Sequence, residues 1–349
     1  MKRYGNLYEK VISLDNLWLA DEKARQHKGN SYGIRVHDRH RMANLMKLHD
    51  LLITHEYRTS KYDIFTIHEP KERIIYRLPY FPDRIVHHAI MNILEPMFVK
   101  VFTYNTYSCI KGRGIEGCDR RVEAIIKSYE GRQLYCLKID IKKFYPSIDH
   151  DVLKRLVRRK IKDKDLLQLI DEIIDSADGL PIGNYLSQYL ANLYLSWMMH
   201  KINECYKELF DTCTKVECTE YADDICFFAD NKAVLHRVIV WLQGYVTNEL
   251  KLRIKDNWQI FPIAKNRYDR HGRALDYVGY KFYREQKLLR KSIKKKLCRK
   301  VASLNAKEKP IEPKEFKRQV SPWLGWCKYS NSRHLLKSII NSKYYESIL

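Results

Sequence analysis

The stretch Thr214-Lys215-Val216-Glu217-Cys218-Thr219-Glu220-Tyr221-Ala222-Asp223-Asp224-Ile225-Cys226-Phe227-Phe228-Ala229 decides how this chain is read. Runs rich in strand formers flank Tyr221-Ala222-Asp223-Asp224, a pattern that predicts a β-hairpin with two adjacent aspartates at its tip. Carboxylate oxygens are the ligands magnesium prefers, commonly one or two of them together with substrate phosphates. Upstream, Tyr135-Cys136-Leu137-Lys138-Ile139-Asp140-Ile141 alternates like a strand, and Lys142-Lys143-Phe144-Tyr145-Pro146 turns away from it. If that strand lies beside the hairpin, Asp140, Asp223 and Asp224 converge at one sheet edge. Such a cluster repels itself unless cations sit in it. Taken singly, each feature has a plainer reading: Asp140 ends a strand, and Asp223-Asp224 is a solvated turn.

Between the two lies Gly179-Leu180-Pro181-Ile182-Gly183-Asn184-Tyr185-Leu186-Ser187-Gln188-Tyr189-Leu190-Ala191-Asn192-Leu193-Tyr194. With this block in place, the chain resembles the reverse transcriptases in the order and spacing of its motifs. Lys71-Glu72-Arg73 and Asp83-Arg84-Ile85-Val86 look like that family's fingers motifs. Leu275-Asp276-Tyr277-Val278-Gly279-Tyr280 looks like its primer-grip strand. The resemblance implies an α+β right-hand polymerase fold with fingers, a palm of antiparallel sheet plus helices, and a helical thumb. It divides the chain into a helical N-terminal extension (1–60), fingers (61–134), palm (135–283, with finger helices inserted at about 149–177) and thumb (284–349).

The same resemblance implies site residues. Asp140, Asp223 and Asp224 would be catalytic and would hold two Mg²⁺ ions, with Mn²⁺ able to substitute and the Ile141 carbonyl as a further ligand. Two such ions clamp the attacking and leaving oxygens in polymerases. Tyr145 stands where the family has an aromatic gate that excludes a 2′-hydroxyl, although an ordinary core tyrosine would read the same. Lys71 and Arg73 correspond to cations that hold the triphosphate, a task suited to charge-assisted hydrogen bonds. Ile182 and Gly183 fall in the nucleotide-binding turn. Gly112, Arg113 and Gly114 would let backbone approach a template strand, or form a plain turn.

Composition agrees with a polyanionic partner: 64 basic against 42 acidic residues give a net charge of +22. From Arg284 onward, 18 basic residues face 5 acidic ones. The run from Arg290 to Lys300 carries Arg290, Lys291, Lys294, Lys295, Lys296, Arg299 and Lys300, with Ile293 and Leu297 on one helical face. It is read as a phosphate-contacting thumb helix. Trp323 and Trp326 are read as thumb core rather than base-stacking rings. Residues from 284 are expected to be helical, broken by Pro310, Pro313 and Pro322. Nine cysteines without a Cys-x-x-Cys pair, no signal-like leader and no membrane span point to reduced thiols in a cytoplasmic protein. The polar residues Asn184, Ser187, Gln188, Asn192 and Ser196 argue for a buried helix rather than a span.

Most reverse transcriptases have Gln before the motif glycine and Ser-Pro at the end of the block, where this chain has Ile182 and Ser187-Gln188. That form resembles the reverse transcriptases of diversity-generating retroelements, a bacterial or phage-encoded, group II intron-like lineage. There the enzyme copies an RNA template into cDNA from dNTPs, misincorporates opposite adenine, and works with a small basic oligomeric accessory protein. Antiphage-defence reverse transcriptases are close relatives and remain an alternative, as does a maturase-like RNA-binding protein. A palm-fold cyclase fits the basic C-terminal region poorly.

Overall fold

The computed structural model describes residues 3–29, 31–68, 72–213, 215–306, 311–342, 344 and 345. Four helices open the chain: α1 (Tyr8–Ile12), α2 (Leu14–Ala24), α3 (Tyr32–Asp38) and α4 (Arg41–Ile53). A hairpin follows, β1 (Asp63–Ile67) with β2 (Arg73–Arg77), then α5 (Ile85–Val99) and α6 (Gly114–Ser128). Next come β3 (Tyr135–Asp140), α7 (His150–Arg158), α8 (Lys164–Ile174), the long α9 (Tyr185–Phe210), β4 (Glu217–Tyr221), β5 (Asp224–Ala229), α10 (Lys232–Asn248) and β6 (Gln259–Pro262). The chain finishes with β7 (Leu275–Tyr277), β8 (Tyr280–Phe282), β9 (Lys287–Leu289), α11 (Lys291–Asn305), α12 (Pro313–Lys328) and α13 (Arg333–Ile339).

The central sheet has the order β4-β5-β3-β6, with every neighbouring pair antiparallel. Its strands are apolar on both faces, and the two-residue period splits them between two cores. Leu137, Ile139, Ile225 and Phe227 enter a large core with α5, α7, α8, α9 and α10. Cys136, Cys226, Phe228 and Phe261 enter a second core with α6, the β7-β8-β9 sheet and α11 to α13. Lys138, Asp140 and Asp224 share the parity of the second set. They therefore lie on that face, where the strands run toward the Asp140–Asp224 end.

Local signals set the helix starts. The Asp149 carboxylate accepts from Val152 N at 2.9 Å, capping α7, and Asp163 accepts from Leu166 N at 3.1 Å, capping α8. The second Asp163 oxygen accepts from Leu7 N at 2.6 Å and Tyr8 N at 3.1 Å, so one side chain ties α8 to the start of α1. In α9 two buried polar side chains are satisfied: Asn192 Nδ2 donates to Ser108 O at 2.7 Å and Ser196 Oγ to Leu193 O at 2.8 Å. Among the described residues no helix is long and apolar enough to cross a membrane.

Two expectations for the C-terminal region need correction. Residues 287–289 form a strand, because Tyr280 pairs with Leu289 and Phe282 with Lys287, so helix begins only at Lys291. Pro322 does not break the chain: α12 continues through it, while Pro313 occupies the first turn of that helix, where its missing N–H costs nothing. Pro310 lies outside the described residues.

Candidate active site

Antiparallel pairing of β3 with β5 places Asp140 directly opposite Asp224. Ala222 and Asp223 form the two-residue loop between paired Tyr221 and Asp224, and Ala222 sits at φ 55°. A tight hairpin demands positive φ at that first loop position, where a non-glycine residue is strained. Ile141 N donates to Asp223 O at 3.2 Å, which fastens the hairpin tip to the end of β3.

Two lysines hold the acids. Lys255 Nζ lies 2.6 Å from Asp140 Oδ1, and Lys138 Nζ lies 3.0 Å from Asp224 Oδ1 while donating to Asp276 O at 2.6 Å. Burial raises the pKa of Asp224; Lys138 opposes the rise, and the charges of Asp140 and Asp223 add to it. The donor set is oxygen-only and electrostatically frustrated, which fits a hard divalent cation in kind. Among the described residues no three His, Cys, Asp or Glu side chains close around one point; the lysines neutralise the acids in this arrangement.

The surrounding parts are locked together by backbone. Tyr145 is partly buried, and its phenol is shifted to higher pKa by burial first and by the charges of Cys109 and Asp223, with Arg73 opposing. Its carbonyl accepts from Leu180 N at 2.8 Å. A Cβ on Gly179 would lie 2.5 Å from that same oxygen, so only glycine lets the two segments meet. Ile182 O accepts from Tyr76 N at 2.9 Å, docking the β1–β2 hairpin on the turn before α9. Gly183, at φ 123°, faces Tyr76 O, which a Cβ would approach to 2.9 Å. Arg73 is exposed on β2 beside this junction, and Lys71 lies outside the described residues.

The other expected contact residues lie in several parts of the fold. Arg113 is not a free cation: its Nη1 donates to Thr103 O at 2.6 Å and Thr106 O at 2.9 Å, closing its own loop. Gly112 and Gly114 both have positive φ, and Gly114 begins α6. Arg290 Nε lies 2.5 Å from Asp276, and Lys300 donates to Gln319 at 2.8 Å. Lys291, Lys294, Lys295, Lys296 and Arg299 are exposed on α11. Trp326 packs against Tyr280, ring centroids 5.2 Å apart, and fills the space over Gly279. Lys138 was legible in the sequence, since it stands two residues before Asp140 on one strand and therefore on one face. Lys255 was not, because only the pairing of Ile141 with Ile254 brings it to Asp140.

Comparison with known proteins agrees with this arrangement. The family model described as reverse transcriptase (RNA-dependent DNA polymerase) matches residues 67–280. The group II intron-encoded protein LtrA of Lactococcus lactis is 30% identical over 129 residues, covering 34% of this chain but only 21% of that protein. The retron Ec73 reverse transcriptase of Escherichia coli is 25% identical over 296 residues, covering 81% of this chain and 84% of its own length. Among solved structures, a telomerase from Candida albicans superposes with a TM-score of 0.50 at 12% identity, over 82% of this chain and 57% of that one, which bears on the polymerase fold alone. The facing Asp140 and Asp224, the hairpin that carries Asp223 and Asp224, and the matched stretch lead to one assignment: the chain belongs to the reverse transcriptase family.

Proposed function

We propose that this protein is an RNA-directed DNA polymerase that extends a primer on an RNA template with dNTPs. The observation that carries the reading is the register of Asp140 against Asp224, with Asp223 at the adjoining hairpin tip. Asp140, Asp223 and Asp224, with the Ile141 carbonyl, would hold two Mg²⁺ ions. When bound, such ions activate the attacking hydroxyl and stabilise charge on the leaving oxygen. Lys138 and Lys255 neutralise Asp224 and Asp140 and hold them in place. Tyr145 lies under the incoming sugar and excludes a 2′-hydroxyl by repulsion. Arg73, with Lys71, holds the triphosphate. The exposed cations of α11 contact the phosphates of the template–primer duplex.

Asp223→Asn tests the core of this reading. Loss of one ligand of a two-metal clamp removes several kcal/mol of transition-state stabilisation. Primer extension should be abolished while RNA binding is retained; normal extension by the purified variant overturns the assignment.

The finer reading is an error-prone enzyme of a diversity-generating retroelement, supported by Ile182-Gly183 and Ser187-Gln188. An apolar side chain at Ile182 cannot hydrogen-bond the nascent base pair, so a mispair forfeits less, and 1.4 kcal/mol of discrimination is about tenfold in error. Errors concentrated opposite template adenine, and reduced by Ile182→Gln, are the expected outcome of cDNA sequencing with any required basic accessory protein present. A low, base-independent error rate moves the assignment to a defence role.

A further inference from the structure

The connection between β6 and β7 carries Lys265, Arg267, Arg270 and Arg273, all exposed, with His271 and a single acid, Asp269. We propose that this loop contacts the sugar–phosphate backbone of the nucleic-acid strand whose 3′ end lies at Asp140 and Asp224, an assignment that rests on the polymerase reading above.

Three observations lead there. First, the acid does not neutralise the cations. Asp269 is turned onto the loop's own backbone, accepting from Lys265 N at 2.8 Å and His271 N at 2.9 Å. Among the described residues none of Lys265, Arg267, Arg270 and Arg273 forms an ion pair; Arg273 instead lies 3.9 Å over the Phe261 ring. Second, the loop is built rather than loose. Ala264 N donates to Arg273 O at 3.1 Å, Glu285 N to Lys265 O at 2.9 Å, and Asn266 Nδ2 to Glu285 at 3.2 Å. A Cβ on Gly272 would lie 2.7 Å from Pro262 O, so the return of the loop is pressed against β6. Much of the cost of ordering these cations is thus met on folding. Third, Arg267 and Arg273 line a cleft of about 840 Å³ together with Asp140 and Asp224, and Lys281 and the Asp276-paired Arg290 line it too.

The ligand must be longer than a leaving pyrophosphate. Lys265, which lines a neighbouring cleft with Tyr283 and Glu285, and Arg270 stand outside the first cleft, as does Tyr268, 74% exposed with the Arg267 guanidinium 4.6 Å from its ring centroid. Only a ligand that extends out of the cleft meets all of them. A strand ending at the acids continues past the cleft and presents further phosphates, and an exposed aromatic beside an arginine is a stacking platform for its bases.

The test is the variant Lys265→Gln/Arg267→Gln/Arg270→Gln in the full chain, with binding of an RNA–DNA primer–template hybrid followed by fluorescence anisotropy across a salt series. Every phosphate that the variant no longer neutralises lowers the log–log salt slope by about 0.9 and weakens binding roughly fivefold at about 0.15 M salt. The slope should therefore fall by about 2 to 3, and Arg267→Lys/Arg270→Lys, which keeps the charge, should leave it near wild type. Wild-type binding with the same slope in the glutamine variant overturns the loop assignment alone. So does a variant altered only in its affinity for pyrophosphate in the reverse reaction. A wild-type chain that neither binds nor extends the hybrid overturns the polymerase reading and the loop assignment together.

Discussion

Glu220 makes the stability of this protein depend on pH in a direction opposite to that of most carboxylates. It lies on β4, next to Tyr221, with no exposed surface. Thr106 Oγ1 donates to its Oε2 at 3.1 Å, and its backbone receives the loop that covers the sheet edge: Glu220 N donates to Asn105 O at 2.9 Å, and Tyr107 N to Glu220 O at 3.0 Å. Burial pushes its carboxyl from 4.5 to about 8; the Thr106 hydrogen bond and the Arg113 charge oppose the shift without cancelling it. The folded-state pKa is raised, so between 4.5 and about 8 the folded protein binds one proton more than the unfolded chain. Stability therefore falls as pH rises through that window. At about 1.4 kcal/mol per unit, the loss reaches at most about 5 kcal/mol by pH 8. Glu220→Gln keeps the shape and the neutral state, so it should remove this slope and be the more stable protein at pH 8. Urea unfolding of both proteins at several pH values between 5 and 8 reads the difference directly, free of the other titrating groups they share. Parallel stability profiles for wild type and variant would refute the reasoning.

Three further outcomes are expected. Tyr145→Ala should raise ribonucleotide incorporation relative to dNTPs by about tenfold or more on one RNA template, a change of about 1.4 kcal/mol in discrimination; an unchanged preference puts the sugar gate elsewhere. Gly183→Ala should destabilise by about 1–3 kcal/mol in urea unfolding and raise KM for dNTPs, because a side chain at φ 123° is strained and meets Tyr76 O; wild-type values for both would show that the β1–β2 hairpin does not depend on this contact. Lys287 Nζ lies 2.7 Å from buried Asp119 and 2.8 Å from Glu123. Lys287→Met should therefore cost about 3–5 kcal/mol, and Asp119→Leu/Lys287→Met should recover most of it; a loss under about 1 kcal/mol for the single variant would mean that the pair is not holding β9 to α6.

The chemistry of the centre was legible in the chain because it depends on short-range rules. Alternation in Tyr135–Asp140 and the strand formers of Asp224–Ala229 dictate strands, a tight turn between paired strands dictates a hairpin at Ala222-Asp223, and two-residue parity puts Lys138 and Asp140 on one face. The family resemblance rests on those same local motifs. Short-range rules fail where the outcome depends on a distant partner. Lys287–Leu289 looks like the lead into a basic helix and becomes a strand because β8 offers it a free edge. Pro322 reads as a breaker, yet α12 runs through it, its flanks held by the burial of Phe316, Val320 and Cys327. Arg113 reads as part of a glycine-flanked loop open to a template strand or of a plain turn, and nothing local announces that the carbonyls of Thr103 and Thr106 claim its guanidinium. Lys255 reaches Asp140 only because Ile141 pairs with Ile254, and the basic loop after β6 reaches the same cleft only because β6 pairs with β3. Residue order determined which acids and which strands this protein has. Which cations stand around the acids was decided by the tertiary structure, since charge acts through space and only the fold sets those distances.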